Sequence, residues 1–175
     1  MNTALPSPAV LDTRPVLRDS ARRIVAVGAV VAVVDGLYVV ALFSWLLGVT
    51  TPRRIFQGIA LALVGRSAAF VGGWRTTLLG AGLHLLVAIG WTAVWALAYA
   101  SSEPLRRAVR TTTGALVVGV AYGVFVHLGM QLLVLPLTNV AARPLLQWDS
   151  LLLLLAHMLV IGPPVVLLIG RRATT

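Results

Sequence analysis

Two stretches of this chain, Thr77–Ala100 and Gly114–Leu137, each run for 24 residues without an aspartate, glutamate, lysine or arginine. Two more are nearly as clean: Ile24–Leu47, 24 residues with Asp35 as the one charge, and Leu151–Gly170, 20 residues closed by Arg171 and Arg172. A helix rises about 1.5 Å per residue, so ~20 residues cover a ~30 Å hydrocarbon layer. Backbone N–H and C=O groups in lipid must be satisfied internally. A helix does this within one segment, whereas a β-barrel would show short alternating strands instead of continuous runs. The pattern therefore predicts an all-α fold: a polytopic membrane protein, a four-transmembrane-helix bundle with spans over 24–47, 77–100, 114–137 and 151–170. Composition agrees: 11% of the 175 residues are charged, against about 25% in soluble domains.

Residues 1–23 mix Pro, Ser, Asp and Arg without apolar periodicity and are expected to form a mobile tail, leaving 24–172 as a single transmembrane domain. The tail is long, and the run after it exceeds a signal-peptide core, so a cleavable signal is not expected.

The segment after the first span differs from the others. TTPRRIFQGIALALVG (residues 50–65) opens on threonines suited to N-capping, with Pro52 at the first helical position. Only Ile55–Gly65 is free of charge before Arg66, too short to cross. A short interfacial or re-entrant helix over about 52–65 is predicted, with a return through Gly72 and Gly73.

All 14 basic residues are arginines, and they stand at the ends of the apolar runs. Nine (Arg14, Arg18, Arg22, Arg23, Arg106, Arg107, Arg110, Arg171, Arg172) fall on one side of a four-span topology and five (Arg53, Arg54, Arg66, Arg75, Arg143) on the other. The positive-inside rule then puts both termini in the cytoplasm of a multi-pass inner-membrane protein. Trp45, Trp74 and Trp148 near the outer ends and Tyr99 near an inner end fit an aromatic belt. The net charge of +9 does not indicate nucleic acid, because the arginines form no stripe interleaved with aromatics. The expected partners are membrane lipids.

Inside the spans lie all three histidines, His84, His127 and His157, together with Asp35 and Gln131. Helical spacing aligns Gly119, Gly123, His127 and Gln131 on one face, Gly80, His84, Ala88 and Thr92 on another, and Gly28, Ala32 and Gly36 beside Asp35. Small residues mark faces where membrane helices pack closely, so these five polar side chains are expected to point into the bundle. A carboxylate at that depth has lost its hydration and is either neutral or paired with a cation. Ionisable residues there are candidate functional sites, in this case for binding a ligand or protons. Trp91 and Trp95 read as packing residues, Gly162-Pro163-Pro164 should kink or open the last span, and Ser150 and Asp149 read as helix-flanking polar residues.

Catalysis finds little support. There is no cysteine, no HExxH, no serine beside a base, and the loops are too short for a soluble catalytic domain. No enzyme activity is expected and no cofactor is firmly implied. Three readings stay open. One is a transport-like or ligand-binding site for a small solute, ion or proton; a chain this short would then be expected to work as a homo-oligomer or within a larger membrane complex. Another is a non-catalytic structural or accessory membrane protein, whose interior polar groups serve as packing hydrogen bonds. The last is a metal or haem protein drawing on His84, His127, His157 and Asp35, a ligand set suited to zinc, copper or iron.

The combination of DGLY at 35–38, TPRRIFQGIALALVGRSAAF at 51–70, GAGLH at 80–84, VLPL at 134–137 and AH at 156–157 resembles a family of uncharacterised bacterial integral membrane proteins. Covering about residues 25–170, the resemblance implies a four-helix bacterial membrane protein and transfers no catalytic role.

Overall fold

The structure, a computed structural model, describes residues 14–140 and 144–170. Those residues are helical apart from short connections, contain no strand, and include five helices long and apolar enough to cross a membrane. Helix α1 spans Arg14–Val40 and continues as a π-helical turn over Ala41–Leu46. It starts ahead of the expected span, so residues 14–23 of the expected tail are helical, while 1–13 lie outside the described residues. Pro15 stands in the first turn, where its missing N–H is harmless, and the Leu, Ala and Arg that follow favour a helix once the span has nucleated one.

Helix α2 covers Pro52–Val71, 20 residues rather than the short helix expected. Its start is as read from sequence: Thr51 caps it by accepting from the Arg54 N–H, and Pro52 follows. It is not straight. Gly65, where the expected helix ends, has φ 76° and ψ 168°, a backbone that side-chain-bearing residues rarely adopt. Beyond it, Gln57 Nε2 donates to the Gly73 carbonyl at 3.2 Å and to Thr76 Oγ1 at 3.4 Å. Sixteen residues of straight helix would hold residues 57 and 73 about 24 Å apart. The chain therefore doubles back at Gly65, and the first turns of α2 and of α3 (Gly73–Ser101) lie side by side. Near the bend, the Ala62 carbonyl accepts from the backbone N–H and the Nδ2 of Asn139, at 3.3 and 3.2 Å.

After α3 comes the short α4, Glu103–Ala108, capped by Ser102. Arg107 and then Arg106 hold the exposed Glu103 carboxyl below its ordinary range, and Arg106 also donates to the Ala100 carbonyl at 2.7 Å, closing the end of α3. Helix α5, Thr112–Gly129, passes into a π-helical stretch, Met130–Val134, and a 3-10 turn, Leu135–Leu137. Helix α6, Trp148–Ala156, passes into π-helical His157–Ile161 and then α7, Gly162–Gly170. The last span is thus opened where Gly162-Pro163-Pro164 predicted. Proline lacks an N–H and its ring crowds the carbonyl four residues back. Both of these π stretches sit in the turn before a proline, Pro136 or Pro163, where widening the helix relieves that clash.

Long-range bonds order the two ends of the bundle. Arg23 donates to the Leu168 carbonyl and Tyr99 to that of Gly170, gathering the start of α1 and the ends of α3 and α7. A dry core of Val27, Val31, Trp95, Tyr122, Val165 and Val166 fills that half. Glycines set the helix spacing. A Cβ on Gly28 would fall 2.7 Å from Ile89 Cα and one on Gly119 2.6 Å from Pro163 Cα, while Cβ atoms on Gly80 and Gly123 would overlap the Phe56 and His157 carbonyl oxygens. The small-residue rows read from the sequence are the packing faces.

In Gly123→Ala the α5 and α6 backbones must separate, and the expected loss is about 1–3 kcal/mol of stability. Gly90, with open space around its Cβ position, should tolerate alanine or gain slightly from its helix propensity. Thermal melts of the two variants in detergent, compared with wild type, check the contrast.

Candidate functional site

In the other half of the bundle, α1 and α3 on one side and α5 and α6 on the other enclose a cavity of about 700 Å³. Thr50, Arg54 and Asp149 stand at its mouth, on the side away from Arg23 and Gly170, and Val31, Trp91, Val126 and Ile161 close its floor over the dry core. Pockets of about 300–1,000 Å³, mostly apolar with a few convergent polar groups, are the usual form of small-molecule sites.

The polar groups fall into two sets. The first joins α1 to α3: His84 Nε2 lies 3.0 Å from the Ala32 carbonyl and 3.6 Å from Asp35 Oδ2. A carbonyl only accepts, so Nε2 carries the hydrogen, shared between two oxygens of α1. Asp35 is 9% exposed. Phe56 of α2 meets the His84 ring edge-on, with centroids 6.3 Å apart, roofing the pair.

The second set joins α5 to α6. His127 Nε2 and Gln131 Nε2 each lie 3.5 Å from Ser150 Oγ, and the His127 ring meets that of His157 edge to face at 5.2 Å. His157 Nδ1 donates to the Leu153 carbonyl, which leaves Nε2 of the neutral ring as an acceptor. Asp35, His84, Gln131 and His157 line the cavity; His127 sits behind His157, 3% exposed.

All five residues singled out from the sequence are interior, but as an Asp35–His84 pair facing a Gln131–His127–His157 group rather than one knot. Among the described residues no three His, Asp or Glu side chains converge on a point where they could hold a metal ion. The suggested ligands His84, His127, His157 and Asp35 thus supply only pairs, because the helices carrying them stand on opposite sides of the cavity.

Ser150 corrects the sequence reading. Instead of flanking a helix in solvent, it is fully buried and bridges His127 and Gln131. Its spacing from His157, seven residues and hence two turns along one face, was the available signal. Trp91, read as packing, lines the cavity and donates from Nε1 to Met130 Sδ at 3.2 Å. Gln57 and the cavity residues Arg54, Phe56 and Phe70, all on α2, had no signature in the sequence.

No protein-family model, no curated protein and no solved structure matches the chain.

Removing either member of the Asp35–His84 pair leaves the other buried without its partner. Asp35→Asn and His84→Ala should each lower the melting temperature, and the double variant should lose less than the sum of the two. A coupling of about 0.5–3 kcal/mol is expected between contacting residues. A double-mutant cycle of melts in detergent measures it.

Proposed function

We propose that this chain is a four-span integral membrane protein that binds a small solute within the membrane, as a step in transport. The observation that carries this is the cavity of about 700 Å³ reaching from loop level to the interior Asp35–His84 pair. A buried carboxylate is expensive in a bilayer and is expected on a substrate or ion path. Packing alone would be served by interhelical hydrogen bonds of about 0.6 kcal/mol with no space between the partners.

Four crossings follow from the fold-back at Gly65. With residues 57 and 73 in hydrogen-bonded contact, α3 leaves from the side that α2 entered, and α2 is a bent helical hairpin at the membrane surface rather than a crossing. The start of α1 and the end of α7 then share a face, as the Arg23–Leu168 bond requires. The arginine count makes that face cytoplasmic and the cavity mouth external, in a bacterial inner membrane.

The cysteine-free sequence makes both points testable by single substitutions. Arg53→Cys and Arg75→Cys, both exposed, should be labelled by an impermeant maleimide from the same side of sealed vesicles. Labelling from opposite sides would establish five crossings and sink the hairpin.

Thiolates react with charged methanethiosulfonates only where water reaches. Val39→Cys and Val87→Cys on the cavity wall should therefore be modified, and Leu86→Cys on the exterior face should not. Wall cysteines as inert as Leu86→Cys would overturn the binding reading.

A further inference from the structure

Resting on the pocket reading above, we infer that the ligand class is a lipophilic cation: an amine or onium ion with bulky apolar or aromatic substituents. Three features of the cavity point there together. Its formally charged lining residues are Asp35, Asp149 and Arg54, two carboxylates against one guanidinium. The guanidinium is at the mouth, and the carboxylate at depth is Asp35. Phe43, Phe56, Phe70, Trp91 and Trp148 line the walls, and aromatic faces attract cations while covering apolar substituents. A neutral apolar solute would leave the buried carboxylate without added compensation, and an anion would be repelled by it.

The histidines give this selectivity a direction with pH. The titratable groups facing Asp35 across the cavity are His84 on α3 and His157 at the end of α6, with His127 behind it on α5 and Arg54 and Asp149 at the mouth from α2 and α6. Protonating Asp35, Asp149 or any of these histidines makes the cavity more positive. Whatever the order in which they titrate, cation affinity falls as pH falls. A cation and a proton thus compete for one carboxylate, which is the linkage that proton-coupled exchange would require.

Tetraphenylphosphonium and tetraphenylborate, close to identical in shape and opposite in charge, separate charge from bulk. Binding to the full chain in nanodiscs is measured by equilibrium dialysis for both probes and for neutral triphenylphosphine oxide. The phosphonium should bind with the highest affinity. Asp35→Asn should weaken it about ten-fold or more while leaving triphenylphosphine oxide unchanged, and acidification should weaken it in wild type. Preference for the borate or the neutral probe, or phosphonium binding indifferent to Asp35→Asn, overturns the cation class and leaves the pocket standing. Gly36→Leu, which projects into the cavity beside His84 and Phe56, reports on the pocket itself. If it binds all three probes as wild type does, the probes sit elsewhere and both readings fail. A melt of each variant confirms that it is folded. Should Asp35→Asn not fold, Asp35→Glu, which keeps the charge, should retain phosphonium preference over borate, and loss of that preference counts against the proposal.

Discussion

Backbone against backbone is the contact on which this molecule depends. Lipid tails are as apolar as leucine, so nothing squeezes transmembrane helices together through the hydrophobic effect, and packing must come from close approach. The chain achieves that approach at two places. On one side Gly28 meets Ile89 and Gly80 meets Phe56, locking α1, α2 and α3; on the other Gly119 meets Pro163 and Gly123 meets His157, locking α5 to α6 and α7. Each lock brings together the backbones that carry one polar set, Asp35 with His84 and His127 with Ser150 and His157. Geometry set by glycines therefore decides which polar side chains can meet.

The two locked units share the dry core of Trp95, Tyr122, Val165 and Val166 at one end, and diverge at the other. Divergence is what leaves the cavity, and α2 covers part of it. That cover is held by few groups. Gln57 bonds to the start of α3, Asn139 to Ala62, and Phe56 lies over His84. A bent helix fastened by amides at its ends and an aromatic ring in its middle is tied more loosely than a glycine-locked helix pair. In the transport reading it is the natural part to move when a solute enters.

Much of this was legible before any coordinates. Runs of uncharged residues mark the long helices, because charge in lipid is too costly to be scattered, and i, i+4 glycine rows mark their packing faces. The side chains of Asp35, His84, His127, Gln131 and His157 point inward as those rows imply. What stayed hidden depends on pairing across space. Gly65 is one glycine among sixteen, and nothing local says that the chain reverses there rather than at Gly58 or Gly72; the choice is made by Gln57 finding Gly73 and Thr76. The division of five polar residues into two sets depends on which helices the glycines lock, and helical spacing carries no information about neighbours. Ser150 was misjudged because it was weighed as a loop residue, though α6 begins at Trp148 and buries it.

The prolines show how a local rule reaches the site. Pro136 and Pro163 each remove one backbone hydrogen bond and crowd the carbonyl four residues earlier. In water the freed carbonyl would be solvated; in lipid the helix must absorb the defect itself, and both helices do so by widening into a π turn just upstream. An inserted residue rotates everything before it relative to everything after it. Gln131 lies within one of these turns and His157 at the start of the other, so the relation of each side chain to the rest of its helix is set by that rotation. With regular α-helix through Met130–Val134 and His157–Ile161, the rows containing Gly123 and Ser150 could not both keep their packing contacts and present Gln131 and His157 to the same space. The wider turns reconcile the two demands, which is the physical reason why these two stretches, and the polar residues they carry, stand beside the cavity.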